Sequence, residues 1–72
     1  MLIVSPIKSE GIYNFESMFH IFPVRIEDTY SLQFTSSFGK GYIGDWSTQE
    51  EVEKAMEEIV KAHHLGYKEV YL

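Results

Sequence analysis

The chain contains no cysteine among its 72 residues. No disulfide can staple it, and no thiolate can hold a metal. Basic residues are also scarce, with six lysines and arginines against eleven aspartates and glutamates, a net charge of −5. That balance argues against a nucleic-acid binder, whose affinity rests on cations facing phosphates, and leaves basic partners open. No apolar run approaches the ~20 residues of a membrane span. The opening MLIVSPIKSE lacks the basic start and the longer apolar stretch of a secretion signal. There is no internal repeat, low-complexity tract or linker. A soluble, cytoplasmic protein that does not engage membranes is the expectation.

What is present points to one α+β domain over residues 1–72. A chain this short buries roughly 60% of its unfolded surface. Yet 44% of it is hydrophobic and 15% aromatic, more than one helix can cover against one small sheet. Small domains without staples often oligomerise.

Residues 48–66, TQEEVEKAMEEIVKAHHLG, read as a complete amphipathic helix. Val52, Ala55, Met56, Ile59, Val60 and His63 fall at the i, i+3, i+4 spacings that line one helical face. Glutamates and lysines fill the other. Thr48 with Glu51 offers a capping box, and Ser47 with Glu50 an equally legal one. Gly66 supplies the left-handed residue that stops the helix. Its apolar face is expected to pack through Val52, Met56, Ile59 and Val60 against Val24, Leu32 and Phe34, with Trp46 partly buried at the helix entry.

The sheet signal lies upstream. Val24 and Ile26 alternate with polar residues, as do Tyr30, Leu32 and Phe34. A three-residue loop, Glu27-Asp28-Thr29, would pair Ile26 with Tyr30, Val24 with Leu32 and Phe22 with Phe34, placing these apolar side chains on one face. Ser36 to Gly41 reads as the next turn and Tyr42 to Trp46 as a third strand. Residues 15–22 fit either a short helix capped by Asn14 or a strand running through Pro23. The strand is preferred because it extends the hairpin in register, and a proline there requires an edge position or a bulge. Leu2 to Val4 is an edge strand or an ordered tail, residues 7–14 a loop, and residues 67–72 a short closing strand. Strands grouped before a helix give a three-stranded antiparallel sheet, four-stranded if residues 67–72 join it, with the helix on one face.

Groups arranged for chemistry are missing. His63 and His64 are neighbours on a helix and point about 100° apart, whereas helical metal ligands take i, i+4 spacing. The carboxylates are interleaved with lysines on a solvated face, without the cleft that raises a catalytic pKa. No serine has the flanking glycines of a nucleophile elbow, and SSFGKG lacks Walker spacing. No enzyme activity, metal or cofactor is expected.

A symmetric homodimer is. A helix of about 17 residues, about 25 Å long, covers one sheet face only. Phe19, Ile21 and Ile43 alternate out of phase with the expected core set. They are the candidate interface on the uncovered face.

Two resemblances bear on these readings. PVRIEDTYSLQF followed by GKGYIGDWSTQEEVEKAMEEI resembles the three-strand-plus-helix layout of phage-integrase arm-binding and AP2-type domains. Those bind DNA through basic residues on their strands. Here only Arg25 and Lys40 lie on the three strands and their turns, so the layout is expected to carry over and the function is not. Over its full length, and through FGKGYIGDWSTQEEVEKAMEEIVKAHHLGYKEVYL, the chain resembles the small Yopt-type proteins of Bacillus prophages. That resemblance implies one helix, three strands and a homodimer, with no known activity. The residues themselves offer up to five extended segments, so some would be irregular if the resemblance holds. The expected function is protein interaction, as a small accessory or regulatory factor of a mobile element. The alternative is a module binding nucleic acid or a small ligand.

Overall fold

Alternating side chains between Met18 and Trp46 form a three-stranded antiparallel meander in the computed structural model, which describes residues 1–72. In chain order the strands and the helix are β1 (Leu2–Val4), β2 (Ile12–Asn14), β3 (Met18–Ile26), β4 (Thr29–Ser36), β5 (Gly39–Trp46), α1 (Gln49–His64) and β6 (Glu69–Tyr71). Single 3-10 turns at Lys8–Glu10 and Phe15–Ser17 flank β2. The meander has the order β3-β4-β5. A second sheet has the order β2-β1-β6, with β1 antiparallel to β2 and parallel to β6. The fold is α+β, with the helix packed on the sheets.

The helix ends are built as their residues dictate. Thr48 is the cap: its hydroxyl accepts from the Glu51 N–H at 3.2 Å and donates to the Glu51 carboxylate at 3.1 Å. At the other end Gly66 has φ 73°. Its N–H reaches the His63 carbonyl at 3.2 Å, and the Tyr67 N–H reaches that of Ala62 at 2.9 Å. These two bonds define a Schellman stop and use two carbonyls the helix would leave unpaired.

The first hairpin departs from expectation by one residue. Its loop is Glu27-Asp28, with Glu27 at φ 55°, and the pairs are Ile26–Thr29, Arg25–Tyr30, Pro23–Leu32 and Ile21–Phe34. Two-residue loops with positive φ fit the strand twist best. A one-residue change of register moves a whole strand's side chains to the other face. Tyr30, Leu32 and Phe34 still face the core. They are matched on β3 by Arg25, Pro23 and Ile21, while Phe22 and Val24 lie half-buried across the sheet. Pro23 sits on an edge strand, as its missing N–H demands. Residues 15–22 divide between the two readings: Asn14 accepts from the Glu16 N–H at 3.1 Å and caps a single 3-10 turn, after which the strand begins.

The second sheet is the larger correction. Leu2–Val4 is its central strand, neither an edge nor a tail, and Ile12–Asn14 is a strand where a loop was expected. Six strands stand against the three that the family resemblance implies. Ile3 faces inward between Tyr13 and Val70. It joins Leu32, Ile43, Val52, Ala55, Ile59 and Ala62 in one core, against which Trp46, Phe34, Ile21 and Met56 pack partly buried. Tyr13 meets the Phe34 ring edge-on, with centroids 5.4 Å apart, so the two sheets touch directly. The inward helix face therefore runs through Val52, Ala55, Ile59 and Ala62; Val60, expected inside, is 57% exposed. Two alanines on that stripe bring the helix backbone close to both sheets.

Candidate interaction surface

Because Ile3 points inward, Leu2 and Val4 must point out. Val4 lies between Ile12 and Tyr71, and Leu2 between Asn14 and Glu69. One row across the sheet is thus wholly apolar, and the next is polar at both ends. Ile12 is 63% exposed, Tyr71 69% and Leu2 43%. Strands of three residues position them, and those strands are held at their ends by backbone bonds: Leu2 N–H to Lys68, Leu72 N–H to Val4, and Phe15 N–H to Met1. Apolar side chains from three strands, rimmed by Asn14 and Glu69, have the anatomy of an interface centre with a polar border.

The residues expected to form an interface do not come together. Ile43 is fully buried, opposite Leu32 and beneath the helix, and Ile21 packs against the same core. For Ile21 the hairpin register is the reason, because Phe34, kept inside, takes Ile21 as its β3 neighbour. Ile43 is turned inward by a different pairing, that of β4 with β5, which sets it opposite the buried Leu32. Phe19 alone is on the surface, 76% exposed, where β3 breaks register between Met18 and His20. The signal for the surface that does exist was the run Leu2-Ile3-Val4: alternation around a buried Ile3 leaves two apolar residues outside once a partner strand lies on each side.

The edge of β5 is a second distinctive region. Gly44, at φ 76°, sits where β4 and β5 slip register between Tyr30 and Leu32. A left-handed glycine is the mark of such a bulge. The Trp46 ring lies where a Cβ would project, 2.2 Å from that position, so the glycine is required on two grounds. Its backbone is held by side chains: the Glu10 carboxylate accepts the Gly44 N–H at 2.8 Å, and the Ser31 hydroxyl donates to the Gly44 carbonyl at 2.9 Å. Glu10 also accepts from Ser5, which is buried. The turn after β1 thereby closes over one point of the β5 edge.

Three titratable groups are shifted by their surroundings. Burial and the nearby Glu10 carboxylate push the Tyr13 phenol up. A 3.1 Å bond to Glu69 raises that of Tyr71. The α-ammonium of Met1 binds Glu16 and holds its carboxyl below the usual range. His63 leans on the Phe15 ring, centroids 5.2 Å apart, and His20 on Phe22 at 4.5 Å. No three histidines or carboxylates gather as a metal site. Arg25 opposes Tyr30 and Lys40 opposes Thr35, so the two basic residues of the meander belong to opposite faces. They make no cationic stripe for a phosphate backbone. No helix is long and apolar enough to cross a membrane. The chain matches no protein-family model, no curated protein and no solved structure.

Proposed function

We propose that this chain is a homodimeric protein-interaction domain, an accessory factor that acts by docking and not by catalysis. The observation that carries this reading is the outer face of the second sheet, where Leu2, Val4, Ile12 and Tyr71 stand toward solvent around a small polar rim. An apolar patch on a small domain is costly for solubility and marks a surface made to be covered. Glu69 borders Leu2 on that face, and the chain carries −5 overall. The partner that fits is a protein presenting an apolar patch beside a lysine or arginine. The resemblance to prophage proteins gives the role a setting, that of a regulatory factor of a mobile element.

The test is capture from the native host with the chain and with Ile12→Asp, each first shown to be folded by circular dichroism. Ile12 is mostly exposed, so the substitution should leave the fold intact. A partner retained by the parent and lost with Ile12→Asp is the expected result. Identical captures by both proteins would remove this face from the function.

A further inference from the structure

Four sheet edges exist, and three are short or blunted. β2 and β6 are three residues each. The β3 edge is interrupted by Pro23 and by the irregularity at Phe19. β5 is different: from Gly39 to Ile43 it pairs with β4 without a break. The Ser37-Phe38 turn makes Ser36–Gly39 the closing bonded pair, and bonded and non-bonded pairs then alternate along the ladder. Gly41 and Ile43 bond inward to β4. Lys40 and Tyr42 turn their N–H and C=O groups outward. The same alternation sends the Gly44 N–H outward, and that is the group Glu10 accepts. The edge is therefore capped at Gly44 and open at Lys40 and Tyr42, both exposed. An open edge of this kind is a template for another strand.

We propose that two copies of the chain join along this edge, antiparallel across a two-fold axis at Gly41, building one continuous six-stranded sheet. The inference rests on the homodimer reading and says how the dimer forms. Self-pairing must set outward-facing residues against outward-facing residues, which leaves few registers. An axis at Tyr42 or Ile43 would require Gly44, whose N–H is taken. An axis at Lys40 would oppose two ammonium groups directly, a destabilising pair. An axis at Gly41 bonds Lys40 of each copy to Tyr42 of the other, twice, and sets each ammonium beside a phenol ring, where a cation is attracted. Glycine at the axis puts no side chain in the way. The second sheet's apolar face is left on the outside of both copies.

Amide hydrogen exchange on the intact chain, followed by NMR at high and low concentration alongside sedimentation, tests the arrangement. The expected result is a dimer at high concentration in which the Lys40 and Tyr42 amides exchange about tenfold or more slowly than in the dilute monomer. A dimer in which both amides exchange freely would overturn the edge pairing and leave the homodimer standing. A folded monomer at every concentration would overturn both. Lys40→Pro adds an independent arm. It removes an N–H that the monomer does not use, at an edge position that tolerates proline. It should yield a folded monomer; a folded Lys40→Pro protein that still dimerises contradicts the proposal. If Lys40→Pro fails to fold, the exchange measured on the unaltered chain decides.

Discussion

The two sheets of this protein are made by different kinds of contact. The β3-β4-β5 meander is local. Its strands are nine, eight and eight residues long and are joined by two-residue turns. Each strand aligns the next, and loop-closure cost is small. The second sheet gathers Leu2–Val4, Ile12–Asn14 and Glu69–Tyr71, so its parallel pair closes nearly the whole chain. Strands of three residues cannot stand alone. They hold because Ile3 and Val70 enter the common core and because Tyr13 meets Phe34. The meander carries the core, and the second sheet completes it while leaving its own outer face apolar.

This difference decided what was legible. The helix, its Thr48 cap and its Gly66 stop could be read because each signal lies within a few residues of its effect. The existence of β3, β4 and β5 could be read for the same reason. Register could not, because Phe34 meets Tyr13 and Leu32 shares one core with Ile3 and the helix, partners distant in the chain. Pattern matching within the hairpin assigned that role to Phe22 and Val24. The second sheet was hidden because a three-residue strand shows barely one period of alternation, and a parallel partner at the far end of the chain, Glu69 for Leu2, leaves no local mark. The candidate interface fails for two reasons: the one-residue hairpin slip turns Ile21 inward, and the Ser37-Phe38 turn sets Ile43 opposite the buried Leu32.

The most direct way to break the comparison is to truncate the core from each side. Ile59 and Ile3 are both fully buried. Ile59→Ala and Ile3→Ala should each cost about 2–5 kcal/mol, read as a lower urea midpoint by Trp46 fluorescence. Equal cooperative losses mean that the second sheet is part of one folding unit with the meander. An Ile3→Ala midpoint equal to that of the parent chain would make the second sheet separable, and the single core would have to be given up.

A smaller effect is expected within the meander at Gly44. An L residue forced into the left-handed region costs about 1–2 kcal/mol. Gly44→Ala also drives a methyl into the Trp46 ring, an overpacking term of about 1 kcal/mol or more. The urea midpoint should fall, and the near-ultraviolet circular dichroism of Trp46 should change because the ring must move. A destabilised protein with an unaltered tryptophan signal would assign the whole loss to the backbone. Unchanged stability would mean that the bulge can relax, and that the clip from Glu10 does not depend on it.

The smallest effect belongs to the contact that ties the two regions at the surface, the Met1 α-ammonium on Glu16 in the turn between β2 and β3. Both groups reach solvent, so screening keeps the pair weak. Its signature is the pH dependence. The ammonium holds the Glu16 carboxyl below its ordinary value, which is about 4.3 for a free glutamate. Between those two values the unfolded chain binds the proton and the native chain does not, so stability rises with pH there. The contribution is complete above the unfolded value and is lost as pH falls through the folded one. Relative to Glu16→Gln, the parent chain should therefore hold a small advantage in urea midpoint at neutral pH. That advantage should fade below about pH 4 and shrink in high salt. An advantage that persisted unchanged into acid would have to come from something other than this ion pair, and the turn between β2 and β3 would then be held by its other bonds, the Asn14 cap, the Ser17 hydroxyl on the Asn14 carbonyl and the Phe15 N–H on Met1.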